Sequence, residues 1–394
     1  MHADLPPPDE DALRHSQLLA EHIRAEIAAS GGSVPFSRFM ELCLYAPGRG
    51  YYSAGATKFG AAGDFVTAPE SGRLFAATVA GVLAEVLREL GPYARVLEVG
   101  GGSGVFAEVA LKRMLELDAL PDRYAILEPS ADLRHRQREH LQRTLTPTVF
   151  GLVEWLERPF EDEWDGVLFA NEVVDALPTP RFTLRDSQVL EEHVAVGSDG
   201  AFVRIDRPAD ALLTAAVRHV EQYLDTRFAD GYRSELLPQL PYWLQAVAGG
   251  LRSGAMLFFD YGYPRREYYL PQRCDGTLRA FYRQRMHGDV LLWPGLQDIT
   301  ASVDFTALAE AGTGAGFDLA GYCTQASFLL GNGIDRLLAE TEARTDEVGA
   351  LRLRQELKRL TLPEQMGERF QAMAFCRDVD LSPAFLLGDL SWRL

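Results

Sequence analysis

Cysteine is scarce in this chain. The four at Cys43, Cys274, Cys323 and Cys376 are spread so widely through 394 residues that no C-x-x-C pair exists. That removes the ligand spacing of a structural zinc site, and we expect no metal and four reduced, structural thiols. Basic residues are short too: 39 Lys and Arg against 56 Asp and Glu leave a formal charge of −17. A surface of that sign works against nucleic-acid phosphates and anionic lipid headgroups, so we expect no nucleic-acid partner, whereas a neutral or basic protein is easily accommodated. Long apolar runs are missing as well, none reaching the roughly 20 residues of a bilayer-crossing helix, and we expect a soluble chain without membrane insertion. The opening MHADLPPPDEDALRH has neither the apolar core of a secretory signal nor the basic amphipathic pattern of an organelle presequence, which points to a bacterial-type cytoplasmic location. Internal repeats and low-complexity tracts are also lacking.

What is plentiful is apolar side chain, 47% of the residues, enough for a large core with a substantial cap. Leu18, Leu19, Ile23 and Ile27 recur at helical spacing and predict a helix over 13–29, ended by Gly31-Gly32. Apart from a short helical run over 36–44, residues 34–70 are rich in Gly, Pro, Tyr and Phe and read as ordered loop, the kind that usually serves a site. A second helical run over 74–90 is closed by Gly91-Pro92. Apolar and helical runs then alternate: RVLEVG, a helix over 106–117, YAILE, a helix over 133–141, PTVFG, and GVLFAN. Repeated βα of this kind implies a parallel sheet.

The alternation breaks at Arg181, where FTLRD, EEHVAVG and AFVRID read as antiparallel strands before helices near 211–223 and 242–248. The sheet resumes with AMLFFDYG, followed by a loop-rich stretch over 263–300, a helix near 305–311, and strand-like FDLAGYCT and MAFCRDV. We therefore expect an N-terminal helical and loop cap (1–92), the first part of an α/β core (93–180), an inserted α+β segment (181–250), and the completion of the core with a lid loop and C-terminal elements (251–394).

In RVLEVGGGSG an apolar strand runs straight into a glycine turn and then the helical FAEVALKRM. Glycine lets the backbone turn sharply and lets a ligand approach main-chain N–H groups that a Cβ would obstruct; an ordinary tight βα connection would use the same residues. Glu128 ends the next strand in YAILEPS, where a carboxylate can accept hydrogen bonds from both hydroxyls of a ribose. Together the two features indicate an adenosine-containing cofactor, and two details favour S-adenosylmethionine over a dinucleotide. Glu98 with Gly100, Gly102 and Gly104 gives E-x-G-x-G-x-G, whereas G-x-G-x-x-G needs its third glycine one place later, although Gly101 blurs the distinction. A sulfonium and an amino group also suit an acidic site, while a pyrophosphate would want cations and helix N-termini.

These residues, with PFSRFMELCLYAPGRGYYS, FGAAGDFVTAPE, FANEVVDALPTPRF, FFDYGY, PGLQDITASVDFTALAEAG, TQASFLLGNGI and MGERFQAM, resemble the MidA family of methyltransferases, which includes a mitochondrial complex I assembly factor that methylates an arginine. The resemblance covers nearly the whole chain. It implies a Rossmann-like class I methyltransferase core with a family-specific cap, S-adenosyl-L-methionine as cofactor, and a protein substrate with an accessible arginine, in assembly of a respiratory NADH dehydrogenase. Carried over, it puts Gly100, Gly102 and Gly104 at the cofactor's amino-acid end and Glu128 on its ribose, with Gly63, Asp64 and Thr67 of GDFVTAPE closing over it. Ala68 stands where the family pattern has serine.

Ligands of doubly wound sheets lie beyond the C-terminal ends of the strands, and Asn171, Glu172 and Asp175 fall there, directly after GVLFA. A guanidinium is always cationic with five N–H donors, so it seeks carboxylates with bidentate geometry. Glu172 and Asp175 supply them, which makes these three the candidate catalytic residues; the same residue types also cap turns. Asp260 in FFDYGY either faces the cleft or satisfies local backbone donors. Asp304 reads as a helix cap, Tyr51 and Tyr52 as packing of the cap, and His287 with Arg283 and Arg285 as a solvated basic patch. From the residues alone the acceptor stays open among a protein arginine, a small molecule methylated on O or N, and no acceptor at all, as in an assembly chaperone that only binds the cofactor.

Overall fold

The computed structural model describes residues 5–53 and 72–394. Helix α1 (Glu10–Ala29) starts at Asp9, whose carboxylate accepts the Ala12 N–H at 2.9 Å, and leads through β1 (Ser33–Pro35) into α2 (Phe36–Tyr45). After α3 (Leu74–Leu90) come β2 (Arg95–Val99), α4 (Val105–Glu116), β3 (Arg123–Leu127), α5 (Ala131–Thr144), the single turn α6 (Pro147–Phe150), β4 (Val153–Leu156) and β5 (Trp164–Asn171). Next are β6 (Arg181–Arg185), β7 (Gln188–Val196), β8 (Phe202–Pro208), α7 (Ala211–Leu224), β9 (Arg233–Glu235), α8 (Leu240–Ala248), β10 (Leu251–Tyr263) and α9 (Arg265–Tyr268). The chain continues through β11 (Arg279–Tyr282), β12 (Arg285–His287), β13 (Asp298–Thr300), β14 (Val303–Asp304), α10 (Phe305–Gly314), β15 (Asp318–Thr324), α11 (Gln325–Gly331), α12 (Ile334–Glu342), α13 (Glu347–Thr361) and β16 (Phe370–Arg377).

The main sheet has the order β15-β16-β10-β5-β2-β3-β4, with β14 beside the end of β10. Its neighbours from β10 to β4 pair parallel, and β16 runs antiparallel between β10 and β15. Side chains alternate faces along a strand, so Val167 and Phe169 go to one side of β5, and Leu168 and Ala170 to the other. Helices α3 and α4 cover the first face, and α8 and α10 the second. Both faces being covered is why GVLFA and MLFF read as unbroken apolar runs rather than alternating ones.

The cap is assembled from separated stretches. Helices α1 and α2 pack with Tyr51, Val194 of β7, and Leu278, Ala280, Val290, Ile299 and Ala301 around the three-stranded sheet β12-β11-β13. β1 pairs antiparallel with β7 and so extends the inserted sheet. Fully buried Arg181 binds Glu192 and Glu235, each at 3.0 Å, and reaches Asp275 at 3.0 Å, joining that sheet to the stretch before β11.

Three sequence expectations need correction. Helix α3 belongs to the core rather than to a cap running to residue 92, because Leu74, Phe75, Val79 and Leu83 join the core cluster and the helix packs on β5 and β10. Helix α8 likewise belongs to the core, not to an insertion reaching residue 250: Leu244 and Val247 sit under the sheet with Leu168 and Met256. PTVFG is a helical turn and not a strand. Thr146 accepts the Val149 N–H and Pro147 occupies the first turn, a pairing that starts helices, so the edge strand begins only at Val153. The thiols also divide: Cys43 and Cys323 are buried, whereas Cys274 is exposed and takes no structural part in the core. No helix of the described residues is long and apolar enough to cross a membrane.

Candidate active site

β2 ends at Val99, and the chain reverses through Gly100 (φ 71°), Gly102 (φ 52°) and Gly104 (φ 84°), the last being the N-cap of α4. All three lie in the left-handed region that side chains with a Cβ disfavour. Gly101 is required for a different reason, since a Cβ there would stand 2.7 Å from Ile126 Cγ2. A Cβ on Gly102 would meet none of the described residues within 4 Å, and Gly102 lines a cavity of about 970 Å3 beyond the ends of the parallel strands.

Gln137, fully buried in the middle of α5, holds this turn. Its Nε2 donates to the Gly102 carbonyl at 2.9 Å and to Glu128 Oε2 at 3.3 Å, and its Oε1 accepts the Trp155 indole N–H at 2.9 Å. The other Glu128 oxygen accepts the Ser130 N–H at 3.0 Å. Burial pushes the Glu128 carboxyl up to about 7, against the pull of those two donors. Glu98, one strand over, accepts the Tyr124 hydroxyl at 2.8 Å, and burial pushes it up to about 7 as well. Glu98, Gly100, Gly102 and Glu128 all line the cavity; Gly104 sits just behind, against Gln137. Gly63, Asp64 and Thr67 lie outside the described residues.

The other end of the cavity is built where β5 stops. Glu172 takes φ 53°, a strained conformation for a residue with a Cβ, and its N–H is held by the Phe259 carbonyl of β10 at 2.8 Å. Strain of this kind persists where neighbouring structure enforces it, and it concentrates at functional sites. Asn171 Nδ2 donates to Glu172 Oε1 at 3.2 Å. Asp175, buried but lining the cavity, has an Oδ1 with no hydrogen-bond partner among the described residues. Burial raises the Asp175 carboxyl well above the usual range, and the charges of Asp260 and Asp298 add to the effect.

Asp260 resolves to its local role. Its Oδ2 accepts the N–H groups of Val174 and Asp175 at 3.0 and 3.2 Å, and its Oδ1 that of Tyr261 at 3.0 Å, so it fixes the turn that presents Asp175 from behind. The sequence gives no local mark for Asp298, which comes from β13 into the same cavity and accepts the Tyr52 hydroxyl at 2.8 Å. Tyr52 stacks on Tyr45 with ring centroids 5.5 Å apart, and Tyr45 donates to the Ala176 carbonyl at 2.9 Å. Tyr51 and Tyr52 thus do more than pack the cap: both line the cavity. Asp304 caps α10 through the Ala307 N–H, as expected, and also pairs with buried Arg265 at 2.9 Å. His287 is half-buried rather than part of a solvated patch.

Signs of charge sort this cavity. Glu41, Glu98, Glu128, Asp132, Glu157, Glu172, Asp175 and Asp298 line it, and no lysine, arginine or histidine does so among the described residues. Such a site attracts cations and repels phosphates. A model of the S-adenosyl-L-methionine-dependent methyltransferase family matches residues 78–323. The chain belongs to that family. In structure this methyltransferase is similar to a Burkholderia thailandensis protein solved bound to S-adenosyl-homocysteine, with a TM-score of 0.91 and 43% identity over 99% of this chain and 100% of that one. A native crystal structure from the same organism gives 0.89 and 42% over the same shares. In sequence it is 28% identical to the Drosophila melanogaster mitochondrial protein arginine methyltransferase NDUFAF7 homolog, over 90% of this chain and 84% of that protein. Identity to human mitochondrial NDUFAF7 is 26%, over 90% and 82%.

The core is a Rossmann-like class I methyltransferase fold, and S-adenosylmethionine is its cofactor. The residues present suit that cofactor. Among the described residues, the space at Gly102 admits a ligand chain beside the turn, and each Glu128 oxygen holds a single protein donor, leaving lone pairs for two hydroxyls.

Proposed function

We propose that this methyltransferase methylates an arginine side chain of a protein partner, that the partner belongs to a respiratory NADH dehydrogenase under assembly, and that the reaction takes place in the cytoplasm. The observation that carries the arginine reading is the cavity end lined by Glu172, Asp175 and Asp298 with no basic residue among the described lining. A guanidinium is the side chain that satisfies two or more carboxylates at once through planar, bidentate donation. Relatives named as arginine methyltransferases over most of their length support the reading. The dehydrogenase partner rests on the family resemblance alone.

In this proposal Glu98, Gly100, Gly102 and Gly104 border the cofactor's amino-acid end, and Glu128 receives the ribose hydroxyls. The chemistry supplied there is an electrophilic methyl carbon. Methyl transfer is an in-line displacement, so the protein's task is to hold one acceptor nitrogen about 3 Å from that carbon and to exclude water. Glu172, fixed by Asn171 and by its backbone bond to β10, orients the guanidinium. Tyr45, Tyr52 and Trp243 give its flat faces an aromatic wall. The nitrogen loses one proton as it gains the methyl group, and a neighbouring carboxylate takes it. The test is incubation with methyl-labelled cofactor and candidate dehydrogenase subunits, followed by acid hydrolysis and amino-acid separation. Label in methylarginine is the expected result. Label on a small molecule, or no transfer at all, would reject the reading.

A further inference from the structure

Helix α13 has two unlike sides. Its inner side is fastened to the core: Leu360 is fully buried, and buried Glu356 accepts the Leu74 N–H at 2.5 Å, capping α3, whose own N-cap residue Arg73 makes no side-chain cap. Phe75, one residue further on, packs edge-on against Phe259 with ring centroids 5.0 Å apart, and Phe259 pairs with Asn171 at the end of β5. This end of α13 therefore lies at the edge of the main sheet beyond which the cavity opens. On the outer side, at 3.6 residues per turn, Val348, Leu351, Arg352, Gln355, Lys358 and Arg359 fall within an arc of about 120°. All six are exposed, Val348 and Leu351 by 58% and 55%, and the C-cap Leu362 continues the arc at 43%. Lys358 borders the arc on one side and Arg352 on the other. Three of the six are basic and none is acidic, in a chain with 56 acidic residues against 39 basic ones. A merely solvated helix face is polar; this one joins aliphatic side chains to cations alone.

We propose that the outer face of α13 is a docking surface for an acidic amphipathic helix of a protein partner. Charge complementarity selects the occupant: an apolar stripe covers Val348, Leu351 and Leu362, and carboxylates on either side of that stripe meet Lys358 and Arg352. The fifteen residues of α13 span about 22 Å, which matches a partner helix of about four turns. A second copy of this chain is the wrong occupant, because a two-fold interface meets itself and would set these cations against their own kind. An anionic bilayer is also the wrong occupant, since it must approach the whole chain and its charge of −17. A single helix instead senses chiefly the charges within a Debye length, about 8 Å. A partner held on α13 stays beside the edge where the cavity opens, which raises its effective concentration at the site. The inference holds whichever acceptor atom is methylated.

The test titrates the full chain into a fluorescein-labelled peptide of about 15 residues, with leucine at every third or fourth position and glutamate between, beside a scrambled peptide of the same composition. Fluorescence anisotropy reads the binding. We expect the patterned peptide to bind, more tightly at low salt than at high salt, and the scrambled one to bind about tenfold more weakly or less. The double variant Arg352→Glu with Lys358→Glu, and separately Leu351→Asp, should each weaken the patterned peptide about tenfold or more, while keeping the parent's urea midpoint and its affinity for S-adenosylhomocysteine. No binding of the patterned peptide, equal binding of the two peptides, or undiminished binding by the folded variants would overturn the proposal. Phosphatidylglycerol vesicles that sediment with the parent and not with the charge-reversed variant would overturn it too, giving the face to a membrane. A parent that dimerises in sedimentation equilibrium while Leu351→Asp stays monomeric would give it to a second copy.

Discussion

Replacing Gln137 with methionine isolates the contribution of one buried amide. Methionine is close to glutamine in length and volume and fills the site without leaving a void, so the loss is one of hydrogen bonds. Three disappear together: those to the Gly102 carbonyl, to Glu128 and from the Trp155 indole. A neutral hydrogen bond contributes about 1 kcal/mol net, and a buried group left without a partner costs roughly 1–3 kcal/mol. The partners form one network and the losses do not simply add, which places the destabilisation of the apo protein at about 2–4 kcal/mol. The effect on cofactor affinity has a separate origin. Gln137 fixes the Gly102 carbonyl and one oxygen of Glu128, so its removal loosens both at once, at about 1–2 kcal/mol, or roughly a 5- to 30-fold rise in the dissociation constant. Urea unfolding followed by Trp fluorescence measures the first quantity, and calorimetric titration with S-adenosylhomocysteine the second. A Gln137→Met protein within about 0.5 kcal/mol of the parent, binding the ligand equally well, would refute the reasoning.

Three more outcomes follow from the same geometry. Glu128→Ala should weaken S-adenosylhomocysteine binding by about 1–3 kcal/mol; unchanged affinity in a calorimetric titration would take the ribose contact away from this residue. Gly102→Val should leave a folded protein that binds no cofactor, because a branched side chain at φ 52° costs roughly 1–2 kcal/mol of backbone strain and fills the open space beside the turn; thermal unfolding with and without S-adenosylhomocysteine reads both effects, and a ligand-induced shift as large as the parent's would contradict it. The buried carboxyls of Glu98, Glu128 and Glu356 are all pushed up to about 7 from 4.5 by burial, so each favours the folded state fully below its unfolded pKa and loses that contribution as pH rises through the folded one. The urea midpoint of the apo protein should therefore fall between pH 5 and pH 8, each group contributing up to about 3 kcal/mol, and a flat or rising midpoint over that window would sink the assignment. Glu108, Glu221 and Glu310, held below the ordinary carboxylate range, act only under more acidic conditions.

Local signals carried much of this in the sequence. RVLEVGGGSG shows a strand, a turn and a helix start within ten residues, and Glu128 and Asn171 each end an apolar run, so these parts of the cavity could be placed from adjacent residues alone. FTLRD, EEHVAVG and AFVRID alternate apolar with polar residues in sequence, and all three are strands. Failures occurred where tertiary contact decides. PTVFG is apolar enough for a strand, yet a Thr cap and a Pro at the first turn make it helical. Leu74 and Leu244 reveal nothing about which layer their helices join. Gln137 had a usable signal: it interrupts the stripe Leu133, Gln137, Leu141 at four-residue spacing, a polar residue on the buried face of a helix. Asp298 had none, because it meets Asp175 only through the pairing of β13 with β11 and the packing of the cap on the core.

The division of the cavity into a cofactor end and an acceptor end is tested most directly by Glu172→Gln. The substitution preserves shape and removes the charge that orients a cation. It is measured by single-turnover methylation of an arginine acceptor with saturating cofactor, beside a separate titration with S-adenosylhomocysteine. The account predicts turnover lower by orders of magnitude with cofactor affinity unchanged, and Asp175→Asn showing a weaker form of the same pattern. Methylation at the parent rate would contradict it, and loss of cofactor binding together with activity would move Glu172 into the cofactor end.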